Sequence, residues 1–364
     1  MTTIHTSAPA KVILLGEHAA VYGNPVISAA IDMRAHVYIT PNDNDNFSVT
    51  SSGIGVENFK FNFNDIKQPF SFLKRKKNAG DRESAKHFQE LKSAEHFYVK
   101  ERTRGLLRNP QYKKLWLIFD ALEKLSCYMQ QKMPSFDGMI PLDIRIESEI
   151  PVASGLGSSA SIASALILGA AYANNFKLNL QEIANLAWDT EHIAHGTSSG
   201  VDPFTVTFGG VIEYTKGCAE KIPLKNYPPL TIGNTGIVSD TSDVVCDVMR
   251  LKENFPGIFD DYLEIMKEII KQGKCALENN DLVRFGSIMN INHGLLCAIG
   301  VSCAELEQMV WAARCGKGVH GAKLCGAGRG GVMIALGDAM SEIKNAGYDA
   351  VRGLVSEDGV RIER

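Results

Sequence analysis

PVASGLGSSASIASAL, Pro151 to Leu166, is a glycine-serine loop that runs without a linker into an alanine-rich helix. Gly155 and Gly157 lack a Cβ, so they can take dihedrals closed to other residues and let the backbone approach a ligand closely. The free N–H groups of the helix's first turn point back into that loop, where the helix dipole also favours negative charge. Together these make an anion cradle, and phosphate is its natural occupant. Ser158 and Ser159 add hydroxyls at the mouth, each able to bond a phosphate oxygen or to act as a hard oxygen ligand for Mg2+. Two other readings compete. Gly155-x-Gly157-x-x-Ala160 satisfies the loose dinucleotide-binding pattern, but that pattern needs a strand feeding the first glycine and an acid about 20 residues on. Here Glu149 to Pro151 separate the strand-like LDIRIES run from the loop, and Asn174 to Asn179 offers no carboxylate. The second competitor is a helix of small residues that merely packs closely.

Outward from this stretch, 364 residues with 45% hydrophobic content are enough for two ordinary domains. No apolar run approaches the roughly 20 residues of a membrane span. The opening MTTIHTSAPAK lacks the apolar core of a signal peptide, so a soluble protein of the cytoplasm is expected. The eight cysteines show no C-x-x-C and no zinc spacing, which predicts reduced, buried thiols. A net charge of −3 gives no general attraction to polyanions, so neither nucleic acid nor membrane is an expected partner. Lys67 to Lys113 differs, with 13 Lys/Arg against 5 Asp/Glu, a local +8 that leaves −11 on the remainder. It reads as a charged surface insertion with partly helical pieces.

In chain order, residues 4 to 39 read as short strands, IHTS, KVILL, VISAAI and AHVYI, around a glycine-punctuated loop, Gly16 to Pro25. That loop carries Glu17, His18 and Tyr22; alone, the Glu-His pair fits a surface hydrogen bond as well as a site. Leu115 to Met129 has the three-and-four apolar spacing of a packed helix. Asn179 with Glu182 caps another helix, which Gly196 ends. Glu191 falls in its last turn, against the dipole, and so suggests a nearby cation. Glycines and Pro203 predict a tight turn around Asp202 before a strand resumes at Gly210. Beyond Lys216 come a strand (Thr231 to Val238), the turn SDTSD and three helical runs, with Asp281 and the Ser302–Glu305 pair as caps. KLCGAGRGGVMIALG, a short helix and two strands finish the chain.

PAKVILLGEHAAVYGNP, PVASGLGSSAS and KLCGAGRGGVMIAL resemble, in order, the three motifs of the GHMP small-molecule kinases. The resemblance covers nearly all the chain except the charged insertion. Within the family the likeness is to the mevalonate kinase branch of archaeal type, through GEHAAVYG, HGTSSGVDPFTVTFGG and MNINHGLLCAIGVSCAELE. It implies an α/β (α+β) two-domain fold, ribosomal-S5-like over 1–215 and ferredoxin-like over 216–364, with the site in the cleft between. It implies ATP- and Mg2+-dependent phosphorylation of the 5-hydroxyl of mevalonate, a step of isoprenoid precursor synthesis, with a homodimer as one possible state.

By the same resemblance, Pro151, Ser154, Gly155, Leu156, Gly157, Ser158, Ser159 and Ala160 hold the nucleotide. Ser159 and Glu191 hold Mg2+, and Asp202 accepts the hydroxyl proton with Lys11 beside it. Glu17, His18, Thr241, Gly326, Ala327 and Gly328 face the substrate. Taken singly, Lys11 also reads as a solvated strand end, Glu191 as an ordinary helix end and Asp202 as a turn former. Glu191 and Asp202 stand eleven apart, the family spacing.

Two alternatives stay open. Another family kinase, such as phosphomevalonate kinase, would need extra Lys/Arg at the pocket, and Gly16 to Pro25 has none. A non-catalytic anion-binding relative would need a damaged site, yet Lys11, Glu191 and Asp202 are present. No G-x-x-x-x-G-K-[ST] occurs, which disfavours a Walker-type NTPase. Two departures from the family pattern stand out: Ser198 where proline is usual, and Arg329 inside a glycine run, where it could crowd the loop or contact phosphate.

Overall fold

The computed structural model describes residues 2–66, 110–151, 154–195 and 199–363. The charged insertion up to residue 109, Gly196 and Ser198 lie outside the described residues. Two long antiparallel strands, β1 (Ile4–Leu15) and β2 (Val26–Pro41), stand where the apolar pattern suggested four short ones. The Ser, Thr and Ala that interrupt the apolar runs are buried too, because this part of the sheet is covered on both faces and needs no polar alternation. Pro9 is tolerated because the register shifts between Pro9 and Ala10, a bulge that removes the need for its N–H.

The first sheet also takes in β3 (Phe47–Ser51), β4 (Val56–Phe61), β5 (Leu142–Ser148), β6 (Val211–Thr215), β7 (Cys218–Lys221) and β12 (Arg361–Ile362). Its order is β12-β1-β2-β5-β3-β4, with β6 on β2 and β7 on β6. After a single turn, α1 (Phe63–Ile66), come α2 (Pro110–Lys132), α3 (Ser158–Ala173), α4 (Leu180–His195) and α5 (Val201–Phe208). Helix α3 lies against β1 and β2, between α2 and α4. Its small residues permit that closeness: a Cβ on Gly169 would stand 2.7 Å from Ile39 Cδ1. Ser161 and Thr6 add hydroxyl bonds across the contact, to Pro9 O at 2.7 Å and to Ala165 O at 2.8 Å. The close-packing reading of this helix therefore holds along its length, alongside whatever its N-terminus does.

The second sheet is antiparallel, in the order β11 (Asp349–Gly353), β8 (Leu230–Asn234), β10 (Val332–Leu336), β9 (Gly321–Cys325). Counted along the chain that order is 4-1-3-2, the ferredoxin-like arrangement. Between β8 and β9 stand four helices rather than three: α6 (Thr241–Asn254), α7 (Pro256–Glu278), α8 (Leu282–Ala298) and α9 (Ala304–Arg314). The short α10 (Met340–Asn345) precedes β11. Asp281 caps α8 as expected, accepting from Arg284 N at 3.0 Å. The Ser302–Glu305 box does not form. Cys303 is the N-cap of α9, and Ser302 bonds Glu307 instead.

The expected division at residue 215 is crossed twice, since β7 and the terminal β12 both belong to the first sheet. Arg34 draws the tail back. Its buried guanidinium donates to Ser7 Oγ (2.7 Å), Ser356 Oγ (3.0 Å) and Gly359 O (2.7 Å). All eight cysteines are free, but Cys127, Cys218, Cys275 and Cys315 are exposed, contrary to the expectation of burial. Apolar flanking sequence does not say which face of a helix or which edge of a strand a residue occupies.

Candidate active site

The glycine-serine loop is tied down at one point and open at another. Lys11 N donates to Leu156 O at 2.9 Å, and buried Leu156 anchors the loop on the core. Ser154 is buried and donates to Pro151 O at 2.7 Å, while Pro151 itself is exposed. Gly155 (φ +77°) and Gly157 (φ +80°) both use the left-handed region, and beyond its chain neighbours no atom of the described residues lies within 4 Å of where a Cβ of Gly155 would stand. Gly157 is the N-cap of α3 and, having no side chain, caps none of the first-turn N–H groups. Ser158 and Ser159 are half-buried beside them, over buried Ala160. The third motif closes this side: a Cβ on Gly331 would lie 3.4 Å from Ser154 O.

Beneath the loop, Lys11 Nζ lies 3.0 Å from Asp202 Oδ1, with 4% of the lysine side chain exposed. Burial works to lower the Lys11 pKa, but the adjoining Asp202 carboxylate, with Cys325 and Glu191 assisting, outweighs it and holds the ammonium above its usual range. Asp202 does not sit in an isolated tight turn as expected. It occupies the first turn of α5, with Gly200 (φ +86°) as N-cap. Pro203 is compatible with a helix there because the first turn has no partner for its missing N–H. Glu191, in the last turn of α4, is also buried, and its charge reaches Lys11 and Tyr214. One lysine thus faces two carboxylates.

Tyr214, which sequence reasoning passed over, holds the segment before Asp202. Its hydroxyl donates to Ser199 O at 2.7 Å and accepts from Gly217 N at 3.0 Å, and burial pushes its pKa up to about 12. A side chain at Gly200 would overlap that hydroxyl. The only sequence signal was an aromatic with a polar tip inside an apolar strand.

His18 opens the short 3₁₀ turn His18–Tyr22 and is 3% exposed. Its Nε2–H donates to Ala327 O at 2.8 Å, and burial lowers its pKa to about 4, so the ring is neutral at physiological pH. Glu17 is buried and paired with Lys323, which is fully buried. Gly326 and Ala327 are half-buried, and Gly326 has open space at its Cβ position. Ser239 donates to Gly328 O at 2.6 Å and so brings the start of α6 to this loop. Thr241 stands exposed as the first residue of α6, whose cap is Asp240, accepting from Ser242 N at 2.9 Å. Arg329 (φ +54°) turns its guanidinium to Asp247 (2.5 Å) and to Gly300 O (3.2 Å).

A separate cluster of His293, Cys297 and Glu307 has donor atoms within 4.8 Å of one another. Leu324 N donates to His293 Nδ1 at 3.2 Å, which leaves the ring proton on Nε2, facing Glu307 Oε1 at 3.1 Å. With that nitrogen carrying hydrogen, the cluster is a hydrogen-bonded strut between α8, α9 and β9 rather than a metal site. The same carboxylate attracts Ser302, which explains the missing capping box.

Residues 117–210 match the model of the GHMP kinases N terminal domain, and residues 275–350 that of the GHMP kinases C terminal. A mevalonate kinase from Pyrococcus horikoshii is 34% identical over 98% of this chain and 97% of its own length. The chain belongs to the GHMP kinases. Among solved structures, a crystal structure of mevalonate kinase is similar to this GHMP kinase with a TM-score of 0.72 at 25% identity, covering 98% of this chain and 100% of that one. The structure of L. major mevalonate kinase in complex with R-mevalonate gives a TM-score of 0.65 at 26% identity, over 94% and 90% of the two chains. Among the described residues, no helix is long and apolar enough to cross a membrane.

Proposed function

We propose that this GHMP kinase transfers a phosphoryl group from ATP to the 5-hydroxyl of mevalonate, giving 5-phosphomevalonate and ADP. The observation that carries the reading is the Lys11–Asp202 pair, a buried lysine 3.0 Å from a half-buried carboxylate, beneath the loop whose Gly157 is the N-cap of α3. Full-length likeness to mevalonate kinases supports it and favours mevalonate over other alcohols.

Phosphoryl transfer asks the protein for positioning and charge neutralisation more than for covalent chemistry. Here the first-turn N–H groups of α3 and the Ser158 and Ser159 hydroxyls would receive the polyphosphate, each charge-assisted bond contributing roughly 1.5–3 kcal/mol. Ser159 and Glu191 offer a hydroxyl and a carboxylate, the hard oxygen donors that suit Mg2+, at a place where two carboxylates outnumber one lysine. Mg2+ bound there would neutralise charge on the transferring phosphate. Asp202 would accept the hydroxyl proton, with Lys11 fixing its carboxylate in place. His18, Thr241 and the Gly326–Gly328 loop would line the substrate end, the neutral imidazole bracing that loop through Ala327.

A coupled ADP-release assay over mevalonate, phosphomevalonate, homoserine and galactose tests the assignment. Mevalonate should be preferred by about 10²-fold or more in kcat/KM, since a hydrogen-bonding site strongly rejects ligands that leave its groups unpaired. Preference for phosphomevalonate, or no ADP release with any of the four, would overturn it.

A further inference from the structure

Beside the glycine-serine loop, charges of alternating sign follow one another inward. Lys323, on β9 of the second sheet, is 0% exposed and forms an ion pair with Glu17 Oε1, while its Nζ also donates to Leu324 O at 2.7 Å. Glu17 follows the end of β1 by two residues, and its Oε2 is buried with no hydrogen-bond partner among the described residues. Lys11, on β1 itself, exerts its charge on Glu17 as well as pairing with Asp202. Strand β9 meets β1 at this level, where Ile13 N donates to Cys325 Sγ at 3.2 Å. The row therefore runs Lys323, Glu17, Lys11, Asp202, plus, minus, plus, minus, from one sheet to the other.

We infer that Lys323 is a positioning residue for phosphoryl transfer: by neutralising Glu17 it leaves Lys11 free to serve Asp202. This rests on the kinase reading above. A carboxylate stripped of its partner in a dry interior must find another cation or take up a proton. Among the described residues the other cation whose charge reaches Glu17 is Lys11, and any movement of its ammonium toward Glu17 is movement away from Asp202. Burial already pushes the Glu17 carboxyl upward, with Lys323 pulling against it, so its charge depends on that lysine. Among the described residues, the other ionisable groups around the row include Tyr22, Tyr262 on α7, Cys325 on β9, Glu191 on α4, and the neighbouring His18, His293 and Arg329, the last paired with Asp247. Burial holds His18 neutral, and Tyr262 and Cys325 have no cationic form, so none of them can replace the ammonium of Lys323.

The test compares wild type, Glu17→Gln, Lys323→Met and the double variant by steady-state kinetics with ATP and mevalonate, and by thermal unfolding. Lys323→Met should lose about 10-fold or more in kcat while KM for ATP stays within about twofold, because the defect lies at the proton acceptor and not in the phosphate cradle. The double variant buries a neutral pair and should recover kcat to within about fivefold of wild type, with its unfolding midpoint restored along with it. A double variant as slow as Lys323→Met, or unfolded, overturns the inference. So does a folded Lys323→Met with wild-type kcat, or a double variant that fails through a raised KM for mevalonate, which would make Glu17 a direct substrate contact. Absence of turnover in wild type would strike the kinase reading instead, and the unfolding midpoints would still report on the charge pair.

Discussion

At the scale of single residues, His18 is a pH-sensitive joint between the first and third motifs. Its folded pKa of about 4 lies below the ordinary 6.5, so between those values the unfolded chain binds the extra proton. Stability is therefore complete above pH 6.5 and falls as pH drops toward 4, by roughly 3 kcal/mol from this group at most. Urea unfolding at pH 7.5 and 5 should show that loss, and His18→Gln, which keeps a donor for Ala327 O, should flatten it. His293 is also depressed by burial and contributes in the same direction, so the slope should shrink rather than vanish. Glu191→Gln keeps shape and removes charge; the Mg2+ concentration giving half activity should rise about 10-fold, and an unchanged Mg2+ dependence would remove Glu191 from the metal site. Lys11, Glu191 and Asp202 were legible because their spacing follows a family motif. Tyr214 and Lys323 were not, because their work depends on partners 15 and 306 positions away in the chain.

At the scale of elements, the glycine-serine loop tolerates no side chain at Gly157. A Cβ there would stand 2.8 Å from Lys11 Cγ, on backbone already at φ +80°. Gly157→Val should therefore damage two things at once, raising KM for ATP and lowering kcat by about 10²-fold through displacement of Lys11 from Asp202. If only KM moved, the loop and the lysine would not be coupled. Arg329→Gly is expected to be nearly neutral, within about 1 kcal/mol by urea unfolding. Relief of the left-handed strain at φ +54° offsets loss of an exposed ion pair to Asp247. Elements with their own local signal were read well: the capping box of α4 forms as expected, with Asn179 Oδ1 accepting from Glu182 N at 2.9 Å. Those shaped by distant partners were not. The turn around Asp202 became a helix because Tyr214 holds its start, and four strands became two because both faces of the sheet are covered.

At the scale of the molecule, the two-sheet architecture followed from the family motifs, but the route of the chain between the sheets did not. The tail returns to the first sheet because Arg34 needs acceptors, and nothing in the tail's own sequence announces that. Arg34→Met should cost about 3 kcal/mol by leaving buried acceptors unpaired, and truncation after Val355 should cost at least as much; urea midpoints for the two variants check this. The sheets meet where Ile13 on β1 donates to Cys325 on β9, and two residues earlier on β1 Lys11 reaches Asp202 at the head of α5, beside Gly157 at the N-terminus of α3. The most direct test of that arrangement is the single-turnover rate of Asp202→Asn with saturating ATP and mevalonate, beside its affinity for ATP. A proton acceptor at this position predicts a loss of roughly 10²-fold or more with ATP affinity unchanged. A rate within about fivefold of wild type would contradict it and leave Asp202 a structural partner of Lys11.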